Sequence, residues 1–187
     1  AAVCAEEGKS VGVNWNFAPV VDIDMNFHNP ITNVRTFGSN VDKVRENACA
    51  YVETLQEHGM AAACKHFPGN GVDYRDQHLH PSYNSLSAKD WYDTYGSIYQ
   101  AVINAGLMSI MVGHIIQPNV IKDVNPEAEE KDLLPGSLSR EMLTGVLRQK
   151  FGFQGLIITD ATIMGGFTMA MERKKAIPWA IAAGNDM

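Results

Sequence analysis

The sequence predicts an α/β fold, namely a (β/α)₈ TIM barrel of which these 187 residues form only a part. Helical patterns, with apolar residues recurring every three to four positions, alternate with short apolar strands along the chain. A glycine stands near the end of each predicted helix, and the predicted strands start about 47 residues apart. This alternation is typical of a parallel sheet covered by helices.

Several segments carry the helical pattern, and each is closely followed by a glycine that can end a helix in the left-handed conformation. The predicted helices are residues 1–8, 41–58, 87–105, 138–150 and 172–183, with Gly8, Gly59, Gly106, Gly152 and Gly184 as their C-caps. The third is the clearest, because Ser87 precedes it as an N-cap with Asp90 at N3. Its predicted buried stripe consists of Trp91, Tyr95, Ile98 and Val102.

Short segments between the helices are apolar on both faces, as the strands of a covered parallel sheet are. The predicted strands are residues 13–22, 60–66, 107–114 and 155–160. An open, doubly wound sheet is the structural alternative, but no Gly-x-Gly-x-x-Gly turn follows any of them. We predict that residues 1–187 belong to a single catalytic barrel domain and that both ends of the chain are truncated.

Composition restricts the class of partner. A formal net charge of −6 argues against a nucleic acid or an anionic membrane surface, and a small neutral substrate fits better. No run approaches the roughly 18 apolar residues of a membrane helix, and the first residues lack the pattern of a signal peptide. The sequence leaves localisation open, with the bacterial cytoplasm slightly favoured over an exported form, and it also leaves the oligomeric state open. Its three cysteines are interpreted as unpaired thiols.

Polar or ionisable side chains stand at the end of every predicted strand. They are Asp22 and Asp24, then Lys65 and His66, then His114, then Thr159 and Asp160. The carboxyl ends of parallel strands meet at one rim of a barrel, where barrel enzymes hold their active sites. We therefore expect catalysis at this rim, with the Asp160 carboxylate projecting from the last strand.

Two neighbouring motifs, KHFPGNG at residues 65–71 and DQHLHP at residues 76–81, are the most specific features of the chain. They resemble the signature of glycoside hydrolase family 3, in its β-N-acetylglucosaminidase branch. APVVD at residues 18–22, RTFG at 35–38 and IITDA at 157–161 are similar to further motifs of the family, in the same order. Asn70 departs from the histidine usual at that position of the family.

Asp76 and His78 are separated by one residue, so in an extended loop their side chains would lie on the same side. The carboxylate can then orient the imidazole. A histidine so paired can protonate a departing glycosidic oxygen and later deprotonate the attacking water. Asp160 can attack the anomeric carbon, which predicts Asp160, His78 and Asp76 as the catalytic residues.

The resemblance implies cleavage of a terminal β-linked N-acetylglucosamine with retention, through a covalent glycosyl-enzyme, without a cofactor or metal. It also implies that Arg35, Lys65 and His66 bind the sugar at the nonreducing end, with His114 and Met164 as further candidates for the pocket lining. Family members take an additional aspartate and arginine from a strand that would precede residue 1. The natural aglycone stays open among a cell-wall recycling anhydromuropeptide, a chitin fragment and a glycan end.

Other functions are compatible with parts of this pattern. His66, His78, His80, His114 and Asp160 could serve a metal-dependent barrel hydrolase, although His78 and His80 lie in a polar loop and not at a strand end. A catalytically silent sugar-binding barrel is a second alternative. Within the same family, phosphorolysis is a third, because a histidine repels an incoming phosphate less than a glutamate does. β-Glucosidase activity is the fourth.

Overall fold

The computed structural model describes residues 1–187. Its strands are β1 (Trp15–Asn16), β2 (Ala61–Phe67), β3 (Ser82–Tyr83), β4 (Ser109–Val112), β5 (Ile115–Ile116) and β6 (Leu156–Thr159). Its α-helices are α1 (Ala2–Ser10), α2 (Val41–Glu57), α3 (Ala88–Trp91), α4 (Ser97–Asn104), α5 (Pro118–Val124), α6 (Gly165–Thr168) and α7 (Arg173–Ala183). Tyr92–Gly96 and Glu141–Lys150 are π-helical, and Asn33–Arg35, Glu130–Asp132 and Gly136–Leu138 form 3₁₀ turns.

Four strands form one parallel sheet in the order β1-β2-β4-β6, and β3 and β5 pair in parallel beside it. The register of the central pair places Ala63 opposite Ser109, and that of the next pair places Ile110 opposite Ile157. Helices separate the successive strands of the large sheet, as the connection of parallel strands requires. The predicted α/β fold with a parallel sheet, part of a TIM barrel, is confirmed.

The helix from residue 88 to 104 matches its prediction closely. The Ser87 side chain accepts a hydrogen bond from the Asp90 backbone N–H and caps the helix. Trp91, Tyr95, Ile98 and Val102 are all fully buried in the main core cluster. This stripe packs the helix onto the sheet and thereby fixes the loop that precedes it. No helix of the chain is both long enough and apolar enough to cross a membrane.

Glycine positions confirm most of the predicted helix ends. Gly59, Gly106, Gly152 and Gly184 have φ values of 73°, 84°, 69° and 129°, and each lies within two residues of the end of a helical segment. Gly8 is the exception, because α1 continues to Ser10. The residue with positive φ after this helix is Gly12, at 86°.

The first predicted strand is interrupted. Of residues 13–22 only Trp15–Asn16 forms a strand, with an isolated bridge between Val20 and Lys65. Pro19 has no N–H for the ladder, yet its carbonyl accepts from Lys65 N at 3.1 Å. The segment therefore follows β2 to its end and delivers Asp22 beside His66.

Two short helices of the structure, the four-residue α6 and the longer α5, were not predicted. The first turn of α5 contains Pro118, and the Gln117 side chain accepts hydrogen bonds from the backbone N–H groups of Asn119 and Val120. Both features are signals of a helix start. The helix is only seven residues long, so its apolar periodicity is too short to be recognised.

Candidate active site

The strand ends meet at one edge of the sheet, and His66 lies at the centre of this edge. Its Nδ1 is 2.7 Å from Asp22 Oδ2, and its Nε2 is 3.9 Å from Asp160 Oδ2. Asp22 follows the first strand segment, His66 belongs to β2, and Asp160 follows β6. The expected convergence of these side chains on a single rim is therefore present in the structure.

Asp22 holds the segment that carries His66. Its Oδ1 accepts hydrogen bonds from the backbone N–H groups of His66, at 3.2 Å, and Asn70, at 2.8 Å. Asp22 was predicted to lie at a strand end, but no role in the site was predicted for it. Its position at the end of the strand next to the one that ends in Lys65-His66 could have indicated such a role. The strand register that brings Asp22 next to His66 cannot be read from the sequence.

Asn70 links the loops after β1 and β2. Its Oδ1 accepts from Asn29 Nδ2 at 3.1 Å and from the Gly71 backbone N–H at 2.8 Å. Asn29 is also buried and accepts hydrogen bonds from the backbone of Ile31 and Thr32. The residue that departs from the family pattern thus ties two loops at the rim.

Asp160 presents a partly exposed carboxylate. Its side chain is 18% exposed. Oδ1 accepts a hydrogen bond from the Ala161 backbone N–H at 2.7 Å, and the Asp160 backbone N–H donates to Val112 O at 2.8 Å. One oxygen is therefore fixed by the backbone, while Oδ2 faces His66.

Asp76 and His78 form the predicted pair, but they do so in a tight turn and not in an extended loop. Asp76 Oδ1 accepts from the His78 backbone N–H at 2.8 Å and lies 2.6 Å from His78 Nδ1. The Asp76 carbonyl accepts from the backbone N–H groups of Leu79 and His80. An aspartate that bonds its own backbone two residues on stabilises a turn, so this geometry is local. The His78 side chain is 48% exposed, which leaves Nε2 accessible.

The turn that carries His78 is bonded directly to the segment that follows Asp160. The Gly165 backbone N–H donates to His78 O at 2.7 Å, and that of Gly166 donates to Gln77 O at 3.0 Å. A Cβ at position 165 would lie 2.2 Å from the Leu79 carbonyl oxygen. Only glycine permits this approach of the two backbones. These two glycines were not identified from the sequence.

Replacing Gly165 with alanine should push the His78 turn away from Asp160. The new methyl group meets backbone atoms of Leu79, which cannot rotate aside as a side chain can. We expect a loss of roughly 1–3 kcal/mol of stability. A displacement of about 1 Å should lower kcat about 100-fold. Gly8→Ala is the control, because its nearest contact is the flexible end of Met60. Thermal unfolding and steady-state kinetics of both variants check this, and unchanged kcat in Gly165→Ala would contradict it.

Two cationic side chains accompany the carboxylates. Lys65 is partly buried and Arg35 is exposed in the 3₁₀ turn after β1. Burial, followed by the nearby Arg35 guanidinium, lowers the pKa of the Lys65 ammonium, and Asp160 and Asp22 oppose that shift. Neither cation forms a salt bridge. Both are available as donors to an oxygen-rich ligand.

His114 and Met164, proposed as pocket-lining residues, are both buried. His114 is 0% exposed and Met164 is 6% exposed. The His114 ring contacts Ser137 Oγ at 2.8 Å through Nδ1 and Ala161 O at 3.1 Å through Nε2. Met164 caps α6 and donates its backbone N–H to Ala161 O. Both residues thus contact the carbonyl oxygen of Ala161, which directly follows Asp160.

The histidines of the rim are arranged as hydrogen-bond partners and not as a ligand set. No group of three or more His, Cys, Asp or Glu side chains is close enough together to hold a metal ion. His66 and His78 each direct Nδ1 at a carboxylate, and both ring nitrogens of His114 face protein atoms.

Known proteins are similar to this chain over its whole length. A β-N-acetylglucosaminidase/β-glucosidase of Cellulomonas fimi is 47% identical over 187 residues, which are 100% of this chain and 33% of that protein. The solved structure of the β-glucoside phosphorylase BglX bound to 2FGlc has a TM-score of 0.98 and 53% identity, covering 100% of this chain and 33% of that one. A glycoside hydrolase family 3 β-N-acetylglucosaminidase from Paenibacillus sp. str. FPU-7 has a TM-score of 0.90 and 28% identity, covering 100% and 34%.

The chain thus spans about a third of the length of these relatives. Along its own length the agreement is complete, since residues 1–187 match the Glycosyl hydrolase family 3 N terminal domain. The fold of the chain is that of these solved structures, with TM-scores of 0.98 and 0.90. The chain belongs to glycosyl hydrolase family 3.

Proposed function

We propose that the protein removes terminal β-linked N-acetylglucosamine with retention, using Asp160 as nucleophile and His78 as acid/base. One observation carries this proposal. A partly exposed carboxylate and an accessible imidazole, each held by its own hydrogen bonds, stand on two loops that Gly165 joins backbone to backbone. A nucleophile and a separate proton carrier are the two groups that double displacement requires.

In the first step, an Asp160 oxygen attacks the anomeric carbon while the bond from that carbon to the leaving oxygen breaks. The leaving oxygen takes the proton from His78 Nε2. In the second step, His78 removes a proton from water as the water oxygen attacks the same carbon. The bond to Asp160 then breaks, the carboxylate is restored, and two inversions give net retention.

Asp76 acts through His78. Its Oδ1 lies 2.6 Å from Nδ1, so that nitrogen carries a proton and Nε2 is the one that faces substrate. Because the same oxygen accepts the His78 backbone N–H, the ring and the turn are oriented together.

Arg35, Lys65 and His66 are proposed to bind the sugar. Charged donors suit hydroxyl and carbonyl oxygens, and Arg35 and Lys65 have no carboxylate partner within the chain. The choice of N-acetylglucosamine is supported by the names of the Cellulomonas and Paenibacillus proteins. The first of these names also includes β-glucosidase, so glucosides are the natural comparison substrate.

Phosphorolysis is the second candidate, and a specific observation favours it. The relative with 53% identity and a TM-score of 0.98 is named a β-glucoside phosphorylase. After His78 gives up its proton it is neutral, so it does not repel a phosphate dianion as a carboxylate would. Arg35 and Lys65 add positive charge beside Asp160. The glycosyl-enzyme is the same, and only the acceptor differs.

Sugar selectivity provides the first functional prediction. We expect the full-length protein to release p-nitrophenol from its β-N-acetylglucosaminide at least about 10-fold faster than from its β-glucoside, measured as kcat/KM. The reason is that donors at the rim can bond the acetamido oxygen, which the glucoside lacks. Equal values for the two substrates would contradict the assignment of the sugar.

The product formed in phosphate buffer shows whether water or phosphate accepts the sugar from the glycosyl-enzyme. Free N-acetylglucosamine as the main product supports hydrolysis, and N-acetylglucosamine 1-phosphate as the main product supports the phosphorylase candidate. The same reaction in a phosphate-free buffer is the control. Lys65→Met should reduce the stimulation by phosphate if a cation beside Asp160 attracts the anion.

A further inference from the structure

A buried histidine at the end of β4 contacts both of the loops described above. His114 is fully buried, with Nε2 3.1 Å from Ala161 O and Nδ1 2.8 Å from Ser137 Oγ. A carbonyl oxygen can only accept, so Nε2 carries the proton and Ser137 donates to Nδ1. Burial lowers the pKa of His114 against the opposing effects of the Ala161 carbonyl and Asp160, which favours the neutral form of the ring.

The ring holds the residue that fixes the nucleophile. Ala161 accepts from His114 through its carbonyl and donates its own N–H to Asp160 Oδ1 at 2.7 Å. The orientation of the Asp160 carboxylate therefore depends on the placement of Ala161, and His114 is one of two donors to the Ala161 carbonyl. The other donor is the Met164 backbone N–H, at 3.1 Å.

The backbone of the same histidine holds the acid/base loop. His114 N–H donates to Gln77 Oε1 at 2.8 Å, and Gln77 is fully buried and directly precedes His78. Gly166 packs directly against His114, since a Cβ added at position 166 would lie only 2.8 Å from the His114 Cβ. One residue thus contacts the Asp160 loop through its side chain and the His78 turn through its backbone.

We propose that His114 is a positioning residue that sets the distance between Asp160 and His78. This inference rests on the proposed function of those two residues. His114 does not contact the sugar, because both of its ring nitrogens are bonded to protein atoms. Its action is the alignment of the nucleophile with the proton donor, for which an error of about 1 Å costs roughly 100-fold in rate.

Two substitutions distinguish the loss of the hydrogen bond to Ala161 O from the general effect of replacing a buried residue. In His114→Gln the side-chain amide nitrogen reaches the place of Nε2 and can still donate to Ala161 O. In His114→Asn the amide reaches only the place of Nδ1, so that donor to Ala161 O is lost. Ser137→Ala is the control for the other ring nitrogen, because it removes that partner and leaves the contact with Ala161 intact.

The measurement is kcat and KM on p-nitrophenyl β-N-acetylglucosaminide, together with Tm, for the full-length protein and the three variants. We expect kcat to fall about 100-fold in His114→Asn and no more than about 5-fold in His114→Gln and Ser137→Ala, with KM within about 2-fold. Both His114 variants should lose a similar amount of Tm. Equal kcat losses in His114→Asn and His114→Gln, or losses that follow Tm, would overturn the proposal.

A structural readout keeps this test separate from the proposed function. A wild-type protein that cleaves no β-glycoside would contradict the function, and the positioning role would then be judged from crystal structures of the variants. The distance from Asp160 Oδ2 to His78 Nε2 should change in His114→Asn and be preserved in His114→Gln. An unchanged distance in His114→Asn would exclude a positioning role whatever the activity.

Discussion

Replacing Asp160 with alanine should lower kcat at least about 1,000-fold on every β-glycoside, whatever its leaving group. The covalent step needs a carboxylate at this place, and the nearby Asp22 is buried at the opposite side of the His66 ring. Rates on an activated phenyl glycoside and on an alkyl glycoside provide the measurement. Asp42→Ala, on the exposed face of α2, is the folding control.

Recovery of activity by azide provides a second test of Asp160 as the nucleophile. With the nucleophile shortened, azide can attack the anomeric carbon from the face that Asp160 occupied and give an α-glycosyl azide. Partial recovery with that stereochemistry would support Asp160 as the nucleophile. An Asp160→Ala protein that retains a tenth or more of the wild-type rate would show that another group attacks.

Replacing His78 with alanine should produce a loss that depends on the leaving group. A sugar alcohol needs a proton to depart, so its cleavage should fall roughly 100- to 10,000-fold, whereas an activated phenol departs without one. Asp76→Ala should follow the same pattern more mildly, because it orients the ring through Nδ1 and donates nothing to substrate. A series of aryl and alkyl glycosides, compared as kcat/KM, measures the dependence.

The second step gives an independent check on His78. With the activated phenol, the glycosyl-enzyme should form readily in His78→Ala and break down slowly, so that a burst of phenol precedes the steady state. Azide should relieve this delay and give a β-glycosyl azide, since it attacks the glycosyl-enzyme and not the substrate. Equal losses on all leaving groups, without an effect of azide, would show that the proton comes from elsewhere.

The parts of the fold that depend on local sequence could be predicted. The Ser87 cap, the buried stripe from Trp91 to Val102 and the positive-φ glycines after the helices all follow from short-range rules. The first strand could not be delimited, because Pro19 breaks the ladder while the segment still follows β2. Helix α5 is too short to show a period.

The site likewise contains a part that the local sequence predicts and a part that it does not. The Asp76–His78 pair spans only three residues and was predicted, although it lies in a turn that the Asp76 carbonyl and carboxylate together stabilise. The contacts of His66 with Asp22 and of Gly165 with His78 join residues far apart in the chain. Such contacts depend on strand register and loop approach, which no local pattern in the sequence contains.

Mass spectrometry tests directly whether Asp160 forms a covalent bond to the sugar. His78→Ala is mixed with 2,4-dinitrophenyl β-N-acetylglucosaminide, quenched in acid during the burst and digested. We expect one added N-acetylglucosaminyl group, carried by the peptide that contains Asp160 and absent from the double variant with Asp160→Ala. This result is expected whether water or phosphate is the final acceptor. A group attached to any other residue, or turnover by the variant with no labelled protein at any time, would show that Asp160 is not the nucleophile.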